Sequence, residues 1–125
     1  MKVLIVDDSL LIRRQLSIFF EEELNYNVVG FGIDGTDTLE LYKEHEPDII
    51  TLDLAMPNKN GTEALKEIMN YDPDARVLIC SAIKTPGKIT EALEMGAKCY
   101  IKKPFNFKDP EYVKILKDDI KEALE

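Results

Sequence analysis

Asp48-Ile-Ile-Thr-Leu-Asp53-Leu-Ala-Met-Pro-Asn-Lys-Asn-Gly61 is the stretch on which the reading of this chain turns. Ile49, Ile50 and Leu52 form an apolar run too short for a helix. Pro47 bounds it on one side and the Pro-Asn-Lys-Asn-Gly cluster on the other, so it reads as a buried parallel strand. One carboxylate, Asp53, stands where that strand ends. A charge there is costly unless it is solvated, paired or bound to a metal. Taken alone, Asp53 reads as an ordinary cap or turn aspartate, so the other strand ends must decide its role.

The same rhythm runs outward in both directions. Strand-like runs occupy Val3–Val6, Val28–Phe31, Ile49–Leu52, Val77–Cys80 and Cys99–Ile101, and a helical pattern follows each. Ser9 caps the first helix, whose Ile12, Leu16 and Phe19 are spaced for one buried face. The second starts after Gly35 and carries Leu39 and Tyr42. The third follows Asn60-Gly61 and buries Leu65, Ile68 and Met69. In the fourth, Pro86-Gly87 opens the helix, Ile89 and Leu93 form the stripe, and Met95-Gly96 closes it. The last runs from Asp109-Pro110 through Val113, Leu116, Ile120 and Leu124, with Pro110 suited to its first turn. Five strands alternating with five helices predict an α/β fold: one parallel sheet with helices on both faces, in a single domain over 1–125.

Composition narrows the function classes. The 125 residues are 45% hydrophobic, enough for a core, and carry a formal net charge of −8. That charge argues against a nucleic-acid footprint. Met1-Lys2 leads straight into the first strand, with no signal-peptide pattern, and no apolar run approaches membrane-spanning length. Cys80 and Cys99 lie inside apolar runs and read as buried reduced thiols, which points to a cytoplasmic setting.

In open parallel sheets, ligands bind at the carboxyl ends of the strands. Asp7 and Asp8 follow the first strand, Asp53 the third, Ser81 the fourth, and Lys102, Lys103 and Pro104 the fifth. Each has an ordinary structural explanation alone, as a cap, a turn residue or a solvated charge. Their coincidence at four strand ends does not. Two carboxylates about 5 Å apart repel by about 3 kcal/mol at an effective dielectric of 20. Three raise one another's pKa values or recruit a cation. Hard oxygen donors with room for water suit Mg²⁺, and Mn²⁺ can substitute. A metal keeps Asp53 ionised and nucleophilic, Lys103 neutralises a further phosphoryl oxygen, and Ser81 can donate a hydrogen bond to another. Side-chain alternation lets only one of Lys102 and Lys103 face this site.

Val-Asp-Asp-Ser at 6–9, Asp-Leu-Ala-Met-Pro at 53–57 with Gly61, Cys-Ser-Ala at 80–82 and Lys-Lys-Pro-Phe at 102–105 resemble a two-component response-regulator receiver domain. The resemblance spans essentially the whole chain. It implies a flavodoxin-like (βα)5 fold with strand order 2-1-3-4-5. Asp53 is then the phospho-acceptor. Asp7, Asp8 and the backbone carbonyl of Ala55 hold Mg²⁺ together with Asp53. Ser81 is the switch hydroxyl, Lys103 contacts the phosphoryl group, Tyr100 is the switch aromatic, and the Lys103–Pro104 peptide is cis. The implied partners are a sensor histidine kinase and a downstream protein target bound through the helix 4–strand 5–helix 5 face. The closest subgroup resembles the free-standing, CheY-like chemotaxis regulators, whose target is the flagellar motor switch; receivers of sporulation or transcription control are the alternative. Monomer is the default state.

Ala55 and Ile83 depart from the resemblance, since many relatives carry polar groups there; the Lys84–Lys88 and Asn106–Pro110 stretches are also unusual. Without a water-holding side chain at either position, slow loss of the phosphoryl group and a separate phosphatase are expected. Two other classes fit less well. An aspartate-nucleophile phosphatase normally has an acid two residues after the nucleophile, where this chain has Ala55. A flavodoxin-like mononucleotide carrier needs a phosphate loop after the first strand, where Asp7 and Asp8 would repel the phosphate. His45, the single histidine, reads as a helix-terminal charge, and Glu21-Glu22-Glu23 as a solvated face.

Overall fold

The computed structural model describes residues 1–56, 60–82 and 86–125; Pro57 and Ile83, both singled out above, lie outside the described residues. The element order is β1 (Lys2–Val6), α1 (Leu10–Ile18), β2 (Asn27–Gly32), α2 (Thr38–His45), β3 (Ile49–Leu52), α3 (Gly61–Tyr71), β4 (Val77–Ser81), α4 (Pro86–Glu94), β5 (Cys99–Lys102) and α5 (Pro110–Ala123). All strand pairs are parallel and the sheet order is β2-β1-β3-β4-β5. β1 thus lies inside the sheet between β2 and β3, which brings Asp7 and Asp53 to neighbouring strand ends.

Strand alternation sorts the core into two layers. Val3, Ile5, Ile49, Leu78, Cys80 and Ile101 face α1 and α5, where Leu16, Phe19, Phe20, Val113, Leu116 and Ile120 meet them. Leu4, Val6, Ile50, Leu52, Val77 and Ile79 face the other way, against Tyr42 of α2, Leu65 and Ile68 of α3 and Ala92 of α4. All four residues of β3 are buried, as a strand covered on both faces requires. Both cysteines are free thiols, Cys80 buried and Cys99 half-buried, and burial pushes the Cys80 thiol up.

The helix starts follow local chemistry. The Ser9 hydroxyl accepts from the Ile12 N–H at 3.3 Å, Asn60 Oδ1 from Glu63 N–H at 2.9 Å, and Asp109 Oδ1 from Glu111 N–H at 3.0 Å. Pro110 occupies the first turn of α5. α1 does not stop at Ile18. It widens into a π turn over Phe19–Glu23, which buries both Phe19 and Phe20 while leaving Glu21, Glu22 and Glu23 outside.

α4 corrects the expected stripe. Ala92 is its buried residue and Leu93 is 43% exposed. At 100° per residue the inward face falls between Ile89 and Ala92, and Leu93 lies at its margin.

Candidate functional site

The site rests on the same alternation that builds the core. Asp7, Asp53 and Lys103 each follow the last residue of β1, β3 and β5, in step with Ile5, Thr51 and Ile101 below them. They converge. The Lys103 ammonium donates to Asp7 Oδ2 at 2.6 Å and to Asp53 Oδ2 at 3.1 Å. The remaining oxygens are held by backbone: the Ser9 N–H donates to Asp7 Oδ1 at 2.9 Å, and the Ala55 N–H to Asp53 Oδ1 at 3.0 Å. Asp7 is 1% and Asp53 4% exposed, whereas Asp8 is exposed. Ligand oxygens of Asp7, Asp8 and Asp53 all lie within 4.8 Å of one another. Lys102 is exposed, so β5 presents Lys103 alone to the cluster.

Burial raises the Asp7 carboxyl above the ordinary carboxylate range, and the hydrogen bond from Lys103 offsets only part of that. Burial also works to lower the Lys103 ammonium, but the Asp7 hydrogen bond and the charges of Asp53 and Asp7 outweigh it and hold the ammonium above its usual value. The two directions agree. Burial outweighs the shared bond at the Asp7 carboxyl but not at the ammonium, which faces two carboxylates. Three clustered carboxylates with one exposed member form a hard-oxygen donor set that fits a divalent cation such as Mg²⁺.

Ser81 closes β4 and is fully buried. Its backbone carbonyl accepts from the Lys103 N–H at 3.1 Å and from the Tyr100 hydroxyl at 3.0 Å. Tyr100 is half-buried against the α2–α3–α4 side of the core, so a hydrogen bond links the end of β4 to the β5 face. The Lys103–Pro104 peptide is cis. His45 ends α2 far from the cluster. Its carbonyl faces Lys2 and its ring lies where a side chain at Gly30 would sit.

Arg13 was not anticipated from sequence, and neither was the contact that explains the motif's Gly61. The Arg13 guanidinium donates to the backbone carbonyl of Asp7 at 2.7 Å. Its signal is its place one helical turn after the Ser9 cap, from where a long side chain reaches back over the β1–α1 loop. Gly61 starts α3, and a Cβ there would lie 2.0 Å from the Asp53 carbonyl oxygen and 2.5 Å from Leu54 Cα. Glycine lets α3 press directly against the loop that carries Asp53.

Comparison with known proteins converges on one family. The model of the response regulator receiver domain matches residues 3–113. Protein CcdB of Bacillus subtilis is 43% identical over 104 residues, covering 83% of this chain and 86% of its own. Chemotaxis protein CheY of Thermotoga maritima is likewise 43% identical over 104 residues, with the same two coverages. Among solved structures, the CheX–CheY–BeF3–Mg complex from Borrelia burgdorferi superposes with a TM-score of 0.88 at 34% identity, over 100% of this chain and 90% of that one. The response regulator domain of Thermotoga maritima CheB gives 0.84 at 36% identity, over 99% and 96%. With its sheet order, its clustered aspartates and these relatives, the chain belongs to the response regulator receiver domain family of two-component signalling, and its homologues include the CheY chemotaxis proteins.

Proposed function

We propose that residues 1–125 act as one cytoplasmic receiver domain in which Asp53 accepts a phosphoryl group from a sensor histidine kinase, and that the phosphorylated form binds a downstream protein. The observation that supports this best is the state of Asp53. It is a buried carboxylate, fixed at one oxygen by the Ala55 N–H and at the other by Lys103, beside two further aspartates. A positioned carboxylate is a competent nucleophile toward phosphorus. In the transfer an Asp53 oxygen forms the new bond to phosphorus, the bond from phosphorus to the donor histidine nitrogen breaks, and the imidazole leaves with a proton.

Asp7, Asp8, Asp53 and the Ala55 carbonyl would hold Mg²⁺, which supplies charge neutralisation for the phosphoryl oxygens. Lys103 then moves from bridging two carboxylates to facing the phosphoryl group. Ser81 turns its hydroxyl toward a phosphoryl oxygen. The bond between its carbonyl and Tyr100 carries that movement to the face formed by α4, β5 and α5. The phosphoryl group biases an existing equilibrium between two conformations and creates no new fold.

Chemotaxis is the proposed pathway, with the flagellar motor switch as target, because CheY proteins recur among the relatives. Receivers of other two-component pathways share the same site chemistry. The Borrelia CheY is solved together with CheX, BeF3 and Mg, so a protein of this fold takes a partner in that state. A separate phosphatase is proposed for this chain because Ala55 has no side chain to hold a water beside Asp53.

The test is incubation with acetyl phosphate and Mg²⁺. One acid-stable, hydroxylamine-labile phosphoryl group per chain is expected on the wild type and none on Asp53→Asn, which should fold normally. Labelling of Asp53→Asn at the wild-type rate excludes the assignment. A flavin absorption band in the purified protein would point to a mononucleotide carrier instead.

A further inference from the structure

We infer that Arg13 is a positioning residue for the cation site: it pins the β1–α1 loop so that the Asp7 and Asp8 carboxylates are presented together. The inference rests on the reading of Asp7, Asp8 and Asp53 as a divalent-cation site. The loop is only Asp7, Asp8 and Ser9, between the last residue of β1 and the first of α1. Asp7 is restrained at every polar atom. Its N–H donates to the Gly32 carbonyl at 3.0 Å. Its carboxylate accepts from the Ser9 N–H at 2.9 Å and from Lys103 at 2.6 Å, and its carbonyl accepts from Arg13 at 2.7 Å. Arg13 therefore fixes the plane of the peptide that joins Asp7 to Asp8. Asp8 is exposed, so the direction of its carboxylate depends on that peptide plane and not on packing.

The two cations at the site do different work. Lys103 sits on Asp7 Oδ2 and Asp53 Oδ2, atoms that a metal would also seek. Arg13 bonds a backbone carbonyl instead, and so takes up none of the carboxylate oxygens. A planar guanidinium held on a carbonyl at 2.7 Å is a charge-assisted hydrogen bond from a group that stays protonated. Its neighbour Arg14 is exposed on the same helix turn and provides a matched control for charge alone.

The experiment uses the full chain and Mg²⁺ as the probe, with Arg13→Met, which keeps the aliphatic stem, and Arg14→Met. Two quantities are read by NMR: the Mg²⁺ dissociation constant from the Asp8 and Ser9 amide shifts, and the hydrogen-exchange rate of the Ser9 amide in metal-free protein. Arg13→Met should weaken Mg²⁺ binding by about tenfold, the effect of losing one charge-assisted bond, and should speed Ser9 exchange. Arg14→Met should change binding by less than about twofold and leave exchange unaltered. Equal weakening in both variants assigns the effect to bulk charge and overturns the inference, as does weakened binding without faster Ser9 exchange. If the wild type binds no Mg²⁺, the cation-site reading fails. The exchange comparison then still reports whether Arg13 pins the loop.

Discussion

At the scale of the residue, burial decides which charges are expensive. The Asp7 carboxyl is raised by burial in the folded protein, so protonation favours folding. Its contribution to stability is complete below the unfolded value near 3.8 and is lost as pH rises through the higher folded value. Ionised Asp7 is therefore a cost at neutral pH without a divalent cation. Asp7→Asn should raise the metal-free melting temperature at pH 7, and the gain should shrink as pH falls through the raised folded value and be gone by about 3.8. Thermal melts across that range check it, and a variant less stable than wild type at pH 7 contradicts it. Lys103 follows the same sign at the alkaline end: its raised pKa adds stability that is present below the unfolded value near 10.5 and is lost as pH rises through the folded value. Thr51 is a second buried cost. It is 1% exposed, and among the described residues its hydroxyl has no hydrogen-bond partner. Thr51→Val should stabilise the fold by about 1 kcal/mol, measured by urea unfolding, because an unpaired buried hydroxyl costs ~1–3 kcal/mol.

At the scale of the element, α3 and β5 set the geometry around Asp53. Gly61 allows the N-terminus of α3 to touch the Asp53 carbonyl, and a Cβ at 2.0 Å cannot be accommodated without moving backbone. Gly61→Ala should cost about 1–3 kcal/mol of stability and slow Asp53 phosphorylation more than any variant on the exposed face of α3, since the displaced loop carries the proposed phospho-acceptor. Unfolding and acetyl phosphate labelling of the same variant separate the two effects. On β5, Tyr100 hangs on the Ser81 carbonyl at 3.0 Å while Lys103 reaches the carboxylates. Lys103→Ala should still accept some phosphoryl group but fail to move the output face. Chemical shifts around Tyr100 with and without beryllofluoride read this directly; equal shifts in wild type and Lys103→Ala remove Lys103 from the switching path.

At the scale of the whole molecule, the lifetime of the signal depends on what can hold a water beside Asp53. Ala55 offers nothing to hold an attacking water, and Ile83 is a bulky apolar residue at the matching position beyond Ser81. Phospho-Asp53 should therefore hydrolyse slowly. Ala55→Asn combined with Ile83→Glu should decay at least several-fold faster at fixed Mg²⁺, because roughly 1.4 kcal/mol of better water positioning is tenfold in rate. Decay of labelled wild type within seconds, with no acceleration in the double variant, would leave Ser81 and the metal to set the lifetime.

The sequence by itself determined the five-fold strand–helix alternation, the helix cap at Ser9, the helix starts at Asn60-Gly61 and Asp109-Pro110, and the set of side chains standing at the strand ends. These are local properties: a period of two or 3.6 residues, a capping side chain, a proline that stops a strand. The strand order came with the family resemblance and is met in the structure. Only the tertiary structure decided the rest. Asp7 lies 96 residues from Lys103 in sequence, yet their side chains meet at 2.6 Å, because β1, β3 and β5 end on the same edge of one sheet. The hold of Arg13 on Asp7, the close approach of Gly61 to Asp53, and the outward turn of Leu93 leave no periodic mark. Each depends on how one element is placed against another, and that placement is set by packing across the whole core.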